Sequence, residues 1–128
     1  MGQQYLIDSN AVIDYLSGKL PENGKRFMDN VINEIPNISV ITKIEVLGFK
    51  TTEKAEQLLK GFMDDSVITG LTEEIVEQTI EIRKEHKIKM PDAIIAATAL
   101  IDQMTVITRN VKDFEKIEGL EVIDPYGL

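Results

Sequence analysis

The fold of this chain follows from the stretch Tyr5-Leu6-Ile7-Asp8-Ser9-Asn10-Ala11-Val12-Ile13-Asp14-Tyr15-Leu16. The apolar run Tyr5–Ile7 is typical of a short buried strand, and the spacing of apolar residues from Asn10 to Leu16 predicts a helix. Ser9 or Asn10 is available as its N-cap. An acidic residue, Asp8, thus stands where a strand gives way to a helix.

The same alternation of strand and helix continues along the chain. Further strands are predicted over the ranges 38–41, 67–69, 105–107 and 121–123, each separated from the next by segments of helical spacing. In the helix that begins after Thr72, we expect Leu71, Ile75, Thr79 and Ile82 to form the buried stripe. This order predicts an α/β fold with a mostly parallel sheet and helices on both faces.

Three more acidic residues stand where a predicted strand or loop gives way to a predicted helix: Glu45, Asp92 and Asp113. The carboxyl ends of parallel strands share one edge of the sheet, which is where ligands of such sheets bind. Clustered carboxylates repel one another unless a cation offsets their charge. Because the set contains neither His nor Cys, its oxygen ligands favour Mg²⁺ or Mn²⁺. Such a site is suited to hydrolysis of a nucleic-acid backbone.

Each acid also has a structural interpretation. Asp8 could cap the helix that follows it. Glu45 matches a capping box with Thr42, and Asp92, directly after Pro91, could complement a helix dipole in the first turn. Asp113 alone would be an ordinary surface residue. Four acids at four strand-to-helix junctions are less probable by coincidence than any one of them.

Composition limits the class of protein. The 128 residues fit a single domain, 1–128, with a formal charge of -8 and a pI of about 4.6, so any contact with a polyanion must be local. Without Cys, disulfides and thiolate metal sites are excluded. The N-terminal residues do not resemble a signal peptide and no run is long enough to span a membrane, so we expect a cytoplasmic protein.

At four motifs the chain resembles the PIN-domain family, and within it the VapC-type toxins of prokaryotic toxin-antitoxin pairs. The motifs, in order, are Leu6-Ile7-Asp8-Ser9-Asn10, Ile44-Glu45-Val46-Leu47-Gly48, Met90-Pro91-Asp92-Ala93-Ile94-Ile95-Ala96-Ala97-Thr98-Ala99 and Thr108-Arg109-Asn110-Val111-Lys112-Asp113-Phe114. The resemblance implies a three-layer α/β/α fold with a sheet of four or five strands. It also implies a metal-dependent ribonuclease with an antitoxin partner and a homodimeric state.

The resemblance also assigns roles to residues. Asp8, Glu45 and Asp92 look like the first three acids of the family, with Asp8 and Asp92 as direct ligands of the cation. Many relatives place the fourth acid where this chain has Asn110, whereas others use the position of Asp113. We expect Asp113 to be the fourth acid and Asn110 to orient it. Two further residues are expected to hold the carboxylates, namely Ser9 and Thr108.

Other functions remain open from sequence. The Asn110 departure also fits a catalytically silent module that binds a basic peptide in the acidic pocket. A phosphotransfer domain using Asp8 is disfavoured, because Asn10 stands where a haloacid-dehalogenase-type phosphatase has its second acid. Five basic residues near the motifs could contact phosphates or be solvated surface charges: Lys43, Lys87, Lys89, Arg109 and Lys112. The four phenylalanines, Phe49 among them, are expected in the core.

Overall fold

The computed structural model describes residues 3–128. Within this range five strands form one sheet in the order β3-β2-β1-β4-β5, and every pairing between neighbouring strands is parallel. The strands are β1 (Tyr5–Ile7), β2 (Asn37–Ser39), β3 (Val67–Thr69), β4 (Thr105–Ile107) and β5 (Val122–Ile123). The predicted parallel sheet is therefore confirmed, and it is fully parallel in the described part of the chain.

Helices connect the strands and cover both faces of the sheet. They are α1 (Ser9–Leu16), α2 (Glu22–Asn33), α3 (Val40–Leu47), α4 (Glu53–Asp64), α5 (Glu73–Glu85), α6 (Met90–Asp102) and α7 (Val111–Glu115). A 3-10 helix, Pro125–Gly127, follows β5; we call it the C-terminal turn. No helix within residues 3–128 is long and apolar enough to cross a membrane.

The two central strands divide the core into two layers. Leu6 and Val106 pack with apolar residues of α5, α6 and α7, whereas Ile7 and Ile107 pack with those of α1, α2, α3 and α4. Successive side chains of a strand point to opposite faces, so neighbouring residues of β1 and β4 supply the two cores. The result is the expected three-layer α/β/α arrangement.

The second strand is shorter than predicted. It ends at Ser39, and the side chain of Ser39 accepts a hydrogen bond from the N–H of Ile41 at 3.2 Å. Ser39 is thus the N-cap of α3, so Val40 and Ile41 are helical although both have high strand propensity. The capping box proposed for Thr42 and Glu45 is wrong, because Thr42 lies inside α3 and is buried.

Two apolar side chains expected in the core lie at the surface. Leu71 is 48% exposed because it precedes Thr72, the N-cap of α5, and so lies outside the helix whose stripe it was predicted to extend. Phe49 is also 48% exposed, just after α3 has ended at its C-cap Gly48. Both residues lie beyond a helix end, where helical periodicity no longer decides burial.

The strand order places one junction at the centre of the sheet. β1 lies between β2, which follows it in sequence, and β4, which returns from the far end of the chain. The order in which strands are added to the sheet therefore reverses at β1. Open parallel sheets bind ligands at such a point, outside the carboxyl ends of the strands. The residues that leave β1 and β4 at that edge are Asp8 and Thr108.

Candidate metal centre

Asp8 links the end of β1 to the start of α1. Its N–H donates to the carbonyl of Ile107 at 2.9 Å, which extends the parallel pairing by one residue. Its backbone is extended, and its Oδ1 accepts from the N–H of Ser9 at 2.8 Å. Asp8 is therefore the N-cap of α1, and the predicted caps Ser9 and Asn10 are wrong. The helix cap uses only Oδ1 of the Asp8 carboxylate.

The second oxygen of Asp8 faces the end of β4. Thr108 Oγ1 donates to Asp8 Oδ2 at 2.8 Å, and Asn10 Nδ2 approaches the same oxygen at 3.4 Å. Burial raises the pKa of Asp8, hydrogen bonds from Thr108 and Ser9 act to lower it, and the charge of Glu45 raises it further. Each carboxylate oxygen has two lone pairs, so Oδ1, which accepts one hydrogen bond, retains capacity for another partner.

Glu45 approaches this junction from α3. Ser9 Oγ donates to Glu45 Oε1 at 2.6 Å, which joins the first turn of α1 to α3 across the carboxyl edge of the sheet. Glu45 is exposed, unlike Asp8, and its side chain reaches a neighbouring helix and not the N-cap of its own. Glu45 lies near the end of α3 and not in its first turn, because the helix begins at Val40 and not at Thr42.

Asp92 is electrostatically coupled to all three other acids. It lies half-buried in the first turn of α6. Its pKa is raised to about 6, first by burial and then by the charges of Asp8, Asp113 and Glu45, with an opposing effect of Lys89. Charges that raise the pKa of a carboxylate lie close to it. Asp92 therefore lies near the other three acids.

Asp113 is fixed by the loop that leaves β4. Asn110 Nδ2 donates to Asp113 Oδ2 at 2.5 Å, and the N–H of Asn110 donates to Thr108 Oγ1 at 3.0 Å. The amide of Asn110 thus contacts the acid three residues later in the chain. Thr108 connects both parts, because its hydroxyl contacts Asp8 as donor and Asn110 as acceptor.

The chemistry of the donors fits a hard divalent cation in an open site. The four acids offer carboxylate oxygens alone, and their mutual repulsion is the kind that a bound cation offsets. Among residues 3–128, no group of three or more His, Cys, Asp or Glu side chains is arranged to hold a metal ion, so a cation here would take fewer ligands from the protein. Mg²⁺ suits such an arrangement, because it commonly takes one or two carboxylates and keeps several waters.

Asn10 is a site residue that the sequence did not indicate. Its Oδ1 accepts from the N–H of Arg109 at 3.0 Å, while its Nδ2 approaches both Asp8 Oδ2 and Thr108 Oγ1 at 3.4 Å. It therefore ties the loop after β4 to the start of α1. Its place two residues after Asp8 was the available signal, but that position is equally suited to helix capping.

A cavity lies elsewhere, at the amino edge of the sheet. It measures about 840 Å³ and is lined by residues that precede β1, β4 and β5, including Gln4, Gln103 and Glu121. The four acids lie at the opposite edge and do not line this cavity.

The fold and the site together define a class of protein: a parallel α/β/α domain with clustered carboxylates at the switch point of its sheet. The family model for the PIN domain matches residues 5–120. The chain is 31% identical over 126 residues to Ribonuclease VapC1 of Methanocaldococcus jannaschii, a match that covers 93% of this chain and 86% of the relative. The chain belongs to the PIN-domain family.

Solved structures agree with this assignment. A toxin-antitoxin complex from Klebsiella pneumoniae contains a chain that is 33% identical, with a TM-score of 0.79 and coverage of 96% of this chain and 98% of that one. The FitAcB structure from Neisseria gonorrhoeae matches with 25% identity and a TM-score of 0.76, covering 98% and 100%. The three-layer fold is thus shared with proteins that match over nearly their whole length.

Proposed function

We propose that this chain is a divalent-metal-dependent endoribonuclease, acting as one domain and as the toxin of a toxin-antitoxin pair. The observation that carries the proposal is the electrostatic coupling of Asp92 to Asp8, Glu45 and Asp113 at the carboxyl edge of a parallel sheet. The names of the similar proteins support it, since one is a ribonuclease and another comes from a toxin-antitoxin complex.

The four acids have different roles in this proposal. Asp8 and Asp92 hold Mg²⁺ or Mn²⁺, since Asp8 is buried at the switch point of the sheet and its charge raises the pKa of Asp92. Glu45 and Asp113 complete the negative site from α3 and α7. The bound cation lowers the pKa of a water and offsets charge that develops on the phosphodiester.

Three polar residues orient the acids. Ser9 holds Glu45, Thr108 holds Asp8 and Asn110 holds Asp113, each by a direct hydrogen bond. A carboxylate that is fixed by a donor loses little freedom when it takes up a cation. In this proposal Asn110 orients Asp113 through its Nδ2 and is not itself a ligand.

The decisive experiment compares single-acid variants under matched conditions. Asp8→Asn and Asp92→Asn should abolish RNA cleavage, whereas Asp102→Asn, at the exposed far end of α6, should cleave like the unmodified chain. Excess chelator should stop cleavage, and added Mg²⁺ or Mn²⁺ should restore it. Sequencing of RNA ends after brief induction of the unmodified chain and of Asp92→Asn would identify the bond that is cut.

The same experiment tests the silent-module alternative. If no RNA in a broad panel is cleaved with Mg²⁺ or Mn²⁺, and a basic peptide binds tightly to the chain but not to Asp92→Asn, the acidic site is a peptide-binding site. Full activity of Asp92→Asn, or activity in excess chelator, would contradict the metal-dependent mechanism.

We also propose protein partners, namely an antitoxin and a second copy of this chain. Large apolar side chains are exposed on α3, where Ile44 is 62% exposed and Leu47 is 40% exposed, and on α4, where Leu58 is 52% exposed. Exposed apolar side chains of this size on neighbouring elements suit a protein interface. Light scattering of the chain alone, and of the chain co-expressed with its neighbouring gene product, measures both assemblies.

A further inference from the structure

One cluster of side chains is not explained by the carboxylate site. Asp14, on α1, is 10% exposed at its side chain and forms an ion pair with Arg109, Nη1 to Oδ2, at 3.3 Å. Tyr126 of the C-terminal turn donates its hydroxyl proton to the same oxygen. The guanidinium carbon of Arg109 lies 5.8 Å from the centre of the Tyr126 ring, within the range of a cation–π contact.

The backbone of Arg109 is anchored at the acidic site. Its N–H donates to Asn10 Oδ1, and the preceding residue, Thr108, contacts Asp8. The side chain leaves this point and is held by Asp14 and Tyr126, yet it remains 59% exposed. A guanidinium has five N–H donors, and a single hydrogen bond, to Asp14, holds it among the described residues. Most of its donors therefore face solvent at the rim of the site.

Stability alone does not account for this arrangement. An ion pair with one exposed partner contributes little to folding, because water screens it and ordering the long side chain costs entropy. A guanidinium that is already ordered, however, loses less freedom when it binds an anion, and its planar fork matches two phosphate oxygens. The arrangement therefore suits recognition of a phosphate.

We propose that Arg109 binds a backbone phosphate of the RNA beside the acidic site, and that Asp14 and Tyr126 are the positioning residues that hold its guanidinium. The inference rests on the proposed ribonuclease function. It explains how a chain with a formal charge of -8 binds a polyanion, namely through a local contact with Arg109. Arg109 makes one hydrogen bond with Asp14, so its other donors remain available to a phosphate.

Arg109→Ala tests the proposal, because it removes the guanidinium but keeps the backbone N–H that contacts Asn10. In the complete chain, we expect the KM for a short single-stranded RNA of mixed sequence to rise about tenfold, the loss of one charge-assisted contact, with kcat within about twofold. Mn²⁺ affinity, measured by calorimetry, should not change. Arg26→Ala, which removes an exposed ion-paired arginine from α2, is the matched control and should change neither quantity.

Salt dependence identifies the phosphate contact directly. RNA binding is measured in an Asp92→Asn background, so that the RNA stays intact, between about 50 and 200 mM salt. Adding Arg109→Ala should reduce the slope of log Kd against log salt by about 0.7, the value for one single-strand phosphate. Arg109→Lys should keep the slope, and Tyr126→Phe should raise KM about two- to threefold with slope and kcat unchanged.

The possible outcomes separate the two proposals. If the unmodified chain cleaves RNA but Arg109→Ala has the original slope and KM, the inference is wrong and the ribonuclease stands. If Arg109→Ala loses Mn²⁺ affinity, the residue shapes the carboxylates and does not bind phosphate, which also overturns the inference. If the unmodified chain neither binds nor cleaves RNA, both proposals are wrong.

Discussion

At the scale of single residues, Asp92 carries the strongest electrostatic signal of the site. Its pKa is raised to about 6, first by burial and then by its acidic neighbours. An acid whose pKa is higher in the folded than in the unfolded chain binds protons more strongly when folded. Folding is therefore favoured at low pH, and this contribution is lost as pH rises from about 4 to about 6.

This pKa predicts a pH-dependent stability of the metal-free protein. Asp92→Asn should flatten the fall in the free energy of unfolding between about pH 4 and 6, and should stabilise the protein at pH 7. Since Asp92 is only half-buried, we expect a gain on the order of 1 kcal/mol after solvent screening. Urea unfolding in excess chelator at several pH values measures it. Asp102→Asn is the control, and parallel curves for Asp92→Asn and the unmodified chain would contradict the assignment.

Thr108 is the residue whose hydroxyl orients Asp8. Thr108→Val keeps the side-chain shape but removes the donor to Asp8 and the acceptor for the N–H of Asn110. Partners that orient metal ligands typically affect metal affinity by about 10- to 100-fold, so we expect a loss of Mn²⁺ affinity in that range. Titration calorimetry measures it.

The matched control for Thr108→Val is Thr79→Val. Thr79 is also buried, but its hydroxyl donates to the carbonyl of Ile75 in its own helix, α5. This variant should bind Mn²⁺ with unchanged affinity. Equal losses of affinity in the two variants would mean that burial of a hydroxyl, and not its contact with Asp8, accounts for the effect.

At the scale of secondary-structure elements, the C-terminal turn is held against α2 by a close backbone contact. A Cβ placed on Gly24 would lie 1.9 Å from the carbonyl oxygen of Pro125, so no side chain fits there. This contact positions the turn that carries Tyr126, and through Tyr126 it reaches Asp14 on α1. The C-terminal turn thus connects α2 with α1 from the opposite end of the chain.

Gly24→Ala should therefore separate α2 from the C-terminal turn. We expect a loss of about 1–3 kcal/mol in the free energy of unfolding, as is typical of overpacking. Gly61→Ala is the control: a Cβ there meets nothing within 4 Å, and the gain in helix propensity within α4 should stabilise the protein by about 0.5–1 kcal/mol. Urea unfolding compares the two variants, and a neutral Gly24→Ala would show that the contact is easily relieved.

At the scale of the whole molecule, the charge of -8 and the carboxylate cluster predict stabilisation by divalent cations. A ligand that binds only the folded state at about 100 times its Kd adds about 2.7 kcal/mol, enough to raise Tm by several degrees. The rise with Mn²⁺ should be larger at pH 7 than at pH 5, because protons compete for Asp92 below its pKa of about 6.

Thermal unfolding with and without Mn²⁺ at the two pH values measures this effect. NaCl of equal ionic strength is the control for general screening of the acidic surface. If NaCl reproduces the rise in Tm, or if Asp92→Asn keeps it, the stabilisation comes from net charge and not from a cation at the carboxylate site.

The sequence by itself determined the parallel α/β architecture and predicted four acids as site residues. Apolar periodicity is local, and residues that follow parallel strands share an edge in any such sheet, so the ends of β1 and β4 could be placed together from sequence. Asp92 follows α5 and not a strand, so its place depends on the packing of α6. The sequence did not determine where α3 begins, because Val40 and Ile41 suit a strand as well as a helix, and the Ser39 cap decided between them.

Only the tertiary structure decided which polar groups contact the four acids and Arg109. Asn10 and Arg109 are 99 residues apart, and Asp14 and Tyr126 are 112 apart, so no local pattern connects them. Such contacts depend on the order of the strands and on the close approach of α2 to the C-terminal turn. Helix and strand periods reflect neighbours along the chain, whereas these hydrogen bonds form between residues that only the packed sheet brings together.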